Sequence, residues 1–591
     1  MSSVVGEQEY VVSPLELPQV GEPEKAVEEV PSVALFLERA RAADREFRPR
    51  GRALDDLAEI CRRLDGLPLA IELAAAHVKV LSIPELCDRL GKRLDLLRAP
   101  SGTRPSRHQT LELALGWSYD LLDEDERGVL RRLSVFAGGF DLSAAERVCR
   151  AEGVDVLQTV TSLLDKSLVT RQPTVLGDLR FGLLEITRTY AGGKLDGAEE
   201  ARARNAHADW VLELARRGEQ HLAGGDQKAW LARLDAEYGN VLAALHWARS
   251  GGGLEVGLET AAALVRYWSA RGIYREGRSE LEALLANPDF GSVEPKVRAR
   301  ASTALGLLSL LLGDYASATE TLERSLEVQR SLDDPIQLAH TLNHLAWVNA
   351  QGYELDRAET LSREALGLHR ENRVERGISV ALNNLSWIAQ VRGEVSQAEE
   401  FLARALNHRR AAGDERGVAF LLINLAVLRL DQSSDLEGVQ DWLAEARAVI
   451  EPLGDPPLLG WLLSAEGALE VRSGEAGKAV ALLDRSIDIS RDSGSLDGRS
   501  WGLFFKAEAL RDLGRLESAR SHFEEMRELW SHLGSPSGVA RALAGLAEID
   551  RAEDKSEEAR DRYRQCLEIF ERLGARRHVE ACRRWLAEVA S

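Results

Sequence analysis

Through the second half of the chain, apolar and polar positions repeat with a long period. Apolar stretches such as Ala304–Leu312 and Val418–Leu428, the second interrupted by Asn424, run towards a glycine-like break, and a small residue follows each break five positions later. The pairs are Gly272/Gly277, Gly313/Ala318, Tyr353/Ala358, Gly393/Ala398, Ser434/Val439, Gly474/Ala479, Gly514/Ala519 and Asp554/Ala559, at steps of 40 or 41 residues. Glycine accepts the left-handed cap that ends a helix, and the small residue lets the next helix pack closely against it. Self-similarity of this kind predicts a solenoid, in which each helical hairpin buries its apolar face against its neighbours. Residues 255–591 therefore read as an α-solenoid superhelix of about eight hairpins of ~40 residues.

Register also places the inner face. Ten positions before successive breaks stand Asn343, Asn383, Asn424, Ser464 and Phe504; six before stand Trp347 and Trp387; thirteen before stand His340, Trp461 and Trp501. These offsets differ by three or four, so the residues share one helical face. A ladder of asparagine amides can bond an extended backbone as donor and acceptor, and tryptophan supplies rigid anchoring surface. His340, Asn343, Trp347, Asn383, Trp387, Asn424, Trp461, Trp501 and Phe504 are thus the candidate partner-binding groove. The competing reading has the indoles filling gaps between repeats and the amides capping or bridging helices.

Upstream, the pattern changes segment by segment. Residues 1–30 are acidic, with one strand-like stretch at Tyr10–Leu17 that has no partner strand in this sequence. Residues 31–98 read as helices at Pro31–Ala43, Arg52–Leu64, the Ala-rich stretch after Pro68, and Pro84–Leu97. Residues 99–107 are a polar linker, and 99–195 form one domain. Within it helices are expected at His108–Leu122, from Asp123 to Phe136, at Ser143–Arg150 and at Val154–Leu164. Strands at Leu168–Gln172 and Leu179–Leu183 then flank a Leu176-Gly177-Asp178 turn, and a helix at Glu185–Ala191 closes the domain. Helices followed by a β-wing make a winged helix. Residues 196–254 read as a helical connector with Trp210, Trp230, Tyr238 and Trp247 in its core.

The segment EICRRLDGLPLAIELAAA resembles the GLPL segment of signal-transduction ATPases with numerous domains, and more narrowly that of bacterial regulator ATPases carrying tetratricopeptide arrays. GWSYDLLDEDERGVLRRLSVFAGGFDLSAAERVC resembles the winged helix of the same family. The turns Gly-Asp-Tyr-Ala-Ser-Ala at 313–318 and Gly-Glu-Val-Ser-Gln-Ala at 393–398 resemble tetratricopeptide turns, although the period exceeds the usual one of about 34. The resemblance implies a mainly all-α chain of GLPL lid, winged helix and tetratricopeptide superhelix. It further implies that Pro68, with Gly66 beside it, would lie against an adenine. The family's GxxxxGK[ST] is nowhere in this sequence, and Leu183-Leu184-Glu185 stands where relatives carry a phosphate-sensing histidine. The resemblance thus implies the C-terminal part of such a protein without its nucleotide-binding core, with ATP or ADP entering only if a P-loop domain is supplied in trans.

Charge narrows the function classes. The net charge is −20 and the pI about 5.3, which disfavours generic nucleic-acid binding. Ser106–Leu195 holds eleven lysines and arginines against thirteen aspartates and glutamates, an unsuitable balance for reading phosphates. The five cysteines are scattered and read as reduced core thiols of a cytoplasmic protein. No stretch reads as a signal peptide or membrane span. No metal-ligand spacing or nucleophile–base constellation is present. The sequence therefore points to a non-enzymatic regulatory scaffold that binds a peptide or protein, with self-association left open. The alternatives are a split or truncated ATPase switch, and DNA binding through the winged helix.

Overall fold

The computed structural model describes residues 14–19, 24–44, 46–64, 66–96, 115–172, 179–432 and 436–590. These divide into two units: Met1–Trp210 with Glu237–Ala244, and Val211–Ala236 with Leu245–Ser591. The linker 99–107, the wing turn 176–178 and the break at Ser434 lie outside the described residues.

In the first unit, α1 (Glu24–Glu29), α2 (Pro31–Ala43), α3 (Arg52–Arg63), α4 (Pro68–Ala76) and α5 (Ile83–Leu96) pack as a helical bundle. Its core is Val33, Phe36, Leu37, Leu57, Ile60 and Ile71. The strand expected over Tyr10–Leu17 is irregular in its described part. Leu15 N–H donates to the Gly66 carbonyl at 3.0 Å, and Ser32 Oγ donates to the Glu16 carbonyl at 2.7 Å.

The winged helix follows. Helix α6 (residues 115–120) precedes α7 (Glu124–Leu133), whose start is fixed by a reciprocal capping box between Asp123 and Glu126. Then come α8 (Leu142–Val148), α9 (Val156–Asp165), strands β1 (Thr170–Gln172) and β2 (Arg180–Gly182), and α10 (Glu185–Gly192). The strands pair antiparallel, with Arg171 opposite Phe181, and a bridge from Phe140 to Phe181 adds a third edge. Helices α11 (Gly197–His221) and α12 (Gln227–Arg249) contribute residues to both units.

In the second unit, each repeat is an A helix and a B helix: α13 (Leu254–Arg271) with α14 (Tyr274–Leu285), α15 (Pro295–Leu311) with α16 (Tyr315–Gln329), α17 (Pro335–Gln351) with α18 (Leu355–Glu371), and α19 (Glu375–Arg392) with α20 (Val395–Ala411). There follow α21 (Glu415–Gln432) with α22 (Val439–Leu453), α23 (Pro456–Arg472) with α24 (Ala476–Ser493), α25 (Leu496–Asp512) with α26 (Leu516–His532), and α27 (Pro536–Ala552) with α28 (Ser556–Arg572); α29 (Arg576–Ala590) closes the series. The A helices start where side chains can cap them. Asp334, Asp455, Ser495 and Ser535 each accept from the backbone N–H three residues on. The small residues after the breaks serve packing: Ala318, Ala358, Ala398, Ala479, Ala519 and Ala559 are fully buried.

This superhelix closes on itself. Arg271 Nη1 donates to the carbonyls of Leu453 at 3.2 Å and Gly454 at 2.7 Å, across 182 and 183 residues of chain. A Cβ added to Gly313 would lie 2.3 Å from Leu533 Cδ2, and one on Gly494 would lie 2.9 Å from the Arg275 guanidinium. Ala350, Leu355 and Val391 share one apolar cluster with Leu543, Cys566 and Phe570. One superhelical turn thus rests on the next along a seam where the A-to-B turns of the earlier repeats meet the B-helix ends of the later ones.

Candidate functional site

Closure turns the inner face into the wall of a cavity of about 530 Å³. Of the nominated residues, Trp347, Asn383, Trp387, Asn424, Trp461, Trp501 and Phe504 all line it. The indoles form two groups. Trp347 meets Trp387 edge to face at 5.8 Å, and Trp501 contacts Trp461 at 6.3 Å and Phe504 at 5.9 Å. The Arg541 guanidinium lies 5.2 Å over the Trp501 ring. These side chains also pack: Trp387 lies against Tyr353 at 5.6 Å and joins the apolar cluster along the seam.

The amides form a directed chain. Trp461 Nε1 donates to Asn424 Oδ1 at 3.2 Å, and Asn424 Nδ2 donates to Asn383 Oδ1 at 3.0 Å. The far end of this chain is the Asn383 amide, which is half-buried on the cavity wall. Asn343 is placed differently. It is 1% exposed, does not line the cavity, and donates to the Gly377 carbonyl at 3.3 Å. His340 stacks at a tilt on His369, 5.0 Å away. Burial holds both imidazoles well below the ordinary histidine range, His369 at about 4, and does the same to His344 at about 4.

Charged side chains share the wall with further apolar ones such as Leu307, Val380 and Phe420. Asp414, 1% exposed, caps α21 by accepting from Gly417 N–H at 3.0 Å, accepts from Gln227 Nε2 at 2.9 Å and pairs with Arg409. Burial alone would raise its carboxyl; Arg409, the Gly417 N–H and Gln227 more than offset that and hold it below the usual range. Arg376 Nε stands 3.5 Å from the same carboxylate. Arg416 pairs with Asp455 at 2.5 Å, which more than offsets the burial that disfavours its charge. At a different part of the wall, burial pushes the Glu508 carboxyl up. The register that nominated the indoles also passes through charged residues that were not singled out. Arg266 and Glu508 stand six before their breaks, and Arg300 and Arg541 thirteen before theirs.

In the first unit, Gly66 and Pro68 do not fit a nucleotide by themselves. Gly66 is buried at φ +66°, and a Cβ there would lie 2.3 Å from the Leu15 carbonyl oxygen, so that face is filled. Only Pro68, at the start of α4, is exposed. Among the described residues no group of three histidine, cysteine, aspartate or glutamate side chains could hold a metal, and no helix is long and apolar enough to cross a membrane. The five cysteines are free and buried, and burial pushes the Cys61 and Cys149 thiols up to about 12.

The winged helix exposes Leu157, Gln158, Thr161 and Asp165 on α9, a face with no cation. On the wing, Arg180 is bound to Glu237, with Nη2 at 2.9 Å from Oε2 and at 2.9 Å from the Gly138 carbonyl. Asn240 latches the same turn: its Nδ2 donates to Gly139 O at 2.9 Å and its Oδ1 accepts from Ala137 N–H at 2.9 Å. The helix and wing of this fold that would meet DNA are thus respectively uncharged or acidic, and partly neutralised.

Comparison with known proteins agrees with these elements. A winged helix-turn-helix family model matches residues 122–196, and a tetratricopeptide repeat model matches residues 500–572. The chain carries both kinds of domain and is mainly all-α. It is 35% identical over 348 residues to the protein provisionally named HTH-type transcriptional regulator Rv0890c in Mycobacterium tuberculosis (strain ATCC 25618 / H37Rv), covering 57% of this chain and 39% of that one. The chain spans about two fifths of the length of the curated relatives it matches. Among solved structures, it overlays on a signal transduction ATPase with numerous domains and a tetratricopeptide repeat sensor from Pyrococcus horikoshii at TM-score 0.48 and 13% identity, covering 93% of this chain and 72% of that one. It overlays on a Rap protein complexed with competence and sporulation factor at TM-score 0.46 and 15% identity, covering 64% and 99%.

Proposed function

We propose that the chain is a non-catalytic regulatory scaffold whose tetratricopeptide superhelix captures a peptide or an extended protein segment in its lumen. The observation that carries this is the convergence of five indoles, those of Trp347, Trp387, Trp461, Trp501 and Trp530, with Phe504 and the Asn383–Asn424 pair on one cavity. Rigid aromatic walls supply apolar contact area, while the open Asn383 amide and the charged groups supply direction. The name of the mycobacterial relative supports a place in transcriptional regulation, which is proposed here for this chain as part of that scaffold role.

The test is a mixed-sequence heptapeptide library panned on the full chain. The wild type is expected to enrich peptides. Replacing Trp347, Asn383, Trp387, Asn424 and Trp461 together by alanine is expected to weaken them at least ~100-fold, since two lost anchors at ~2 kcal/mol each already exceed that. Circular dichroism checks that the variant remains helical. Equal binding by a folded variant would end the lumen reading.

The winged helix is proposed as an internal structural element and not a duplex reader, because α9 offers no cation and Arg180 is engaged by Glu237. The full chain is expected to show no retention on duplex DNA at 50 mM salt. Retention that weakens steeply towards 200 mM would restore DNA binding.

A further inference from the structure

Most guanidinium groups around the first superhelical turn of the lumen have a carboxylate. Arg300 pairs with Glu219 at 2.5 Å, Arg416 with Asp455 at 2.5 Å, and Arg409 with Asp414. Arg266 has no ion pair among the described residues, and its Nη1, shielded from solvent, has no hydrogen-bond partner. Arg376 shares Asp414 at 3.5 Å, and its Nη1 is likewise shielded and unpartnered. Both side chains are half-buried, and a shielded guanidinium N–H left without an acceptor is costly unless something satisfies it.

The two arginines belong to one neighbourhood. Arg266 feels Asp414, Arg409 and Arg416 electrostatically, and Arg376, Arg409, Asp414 and Arg416 line the lumen cavity. Arg266 also occupies, on α13, the register position that Trp347 and Trp387 hold on α17 and α19. The groups that act on it are Glu219 and Asp414, already bonded to other arginines, Arg409 and Arg416, which oppose its charge, and the histidines His340 and His344, which are neutral at pH 7. The surroundings therefore hold more positive than negative charge, with two donors left over.

We propose that this part of the lumen is a carboxylate subsite, in which Arg266 and Arg376 bond an acidic group of the captured peptide. The proposal rests on the peptide reading above and adds its charge. A guanidinium presents donors in a planar fork that matches a carboxylate. The group comes from a C-terminal carboxylate or from an aspartate or glutamate side chain, and both offer the same two oxygens.

Two forms of the heptapeptide library, C-terminal acid and C-terminal amide, are panned on the full chain. A terminal carboxylate is expected to give binding by the acid form alone; a side-chain source gives aspartate and glutamate enrichment in both forms. Arg266→Gln is expected to lower binding of the selected peptides roughly tenfold or more and to erase the acidic preference, while apolar preferences at other positions persist. Arg376→Gln, a change on the cavity wall, gives a second readout if the Arg266→Gln chain melts early, and Arg266→Lys is expected to restore part of the preference. Peptides enriched without any carboxylate preference, or a preference that survives both glutamine variants, would overturn the subsite and leave the peptide reading intact. Failure of the wild type to enrich any peptide would overturn both.

Discussion

Replacing Asp414 with alanine is expected to destabilise the repeat unit by about 3–5 kcal/mol, the cost of stripping the partner from a buried charge. Arg409, 9% exposed at its side chain, would lose its ion pair, and Arg376, Gln227 and the Gly417 N–H would lose their acceptor. Urea denaturation followed by circular dichroism measures this, and a loss below about 1 kcal/mol, as for a surface ion pair, would contradict the network. The effect carries a pH signature. The carboxyl of Asp414 is held below its ordinary value of 3.8, so its contribution is complete above that pH and is lost as pH falls through the depressed folded value. The stability gap between wild type and Asp414→Asn is therefore expected to stay constant from pH 7 to about 4 and to shrink by pH 3. His344 and His369 act earlier. Their neutral forms are favoured in the fold, so wild type and variant alike lose stability as pH drops from 6.5 towards 4.

Gly313→Val is the second large effect. Residue 313 sits at φ +80°, where a side chain costs about 1–2 kcal/mol, and the added Cβ would press on the buried Leu533 at 2.3 Å, for a further 1–3 kcal/mol or so. Gly514→Val provides the control. That glycine holds the same place in its repeat at φ +71°, with nothing within 4 Å of an added Cβ. The Gly313 variant is expected to lose about 1–3 kcal/mol more than the Gly514 variant in urea titrations. Equal losses would mean that the superhelical turns do not bear on each other at this point.

Much of this was legible in the sequence because it is local or periodic. Helix starts follow from Pro31, Pro68 and Asp123, and the spacing of breaks predicts the hairpins. The indole face follows from register, since Trp347, Trp387, Trp461 and Trp501 all reach the cavity. Register assigns a face and not a depth, which is why Asn343 and Asn383 share an offset yet differ: Asn343 is claimed by the Gly377 carbonyl, and Asn383 is open. The seam was not legible. Arg271 meets Leu453 and Gly454 at a separation that matches no whole number of repeats, so periodicity carries no trace of it. The isolation of Arg266 is of the same kind, for a missing partner leaves no mark on a sequence.

The seam has a consequence for how such a gene can change. Open solenoids tolerate gain or loss of a repeat because each unit meets only its neighbours. Here Gly313 must find Leu533, and Arg271 must find Gly454, at fixed distances along the chain. Duplicating or deleting one hairpin between them would shift every such pairing by about 40 residues and present a different residue to each gap. The copy number of the array between these contacts is thus locked by its own geometry.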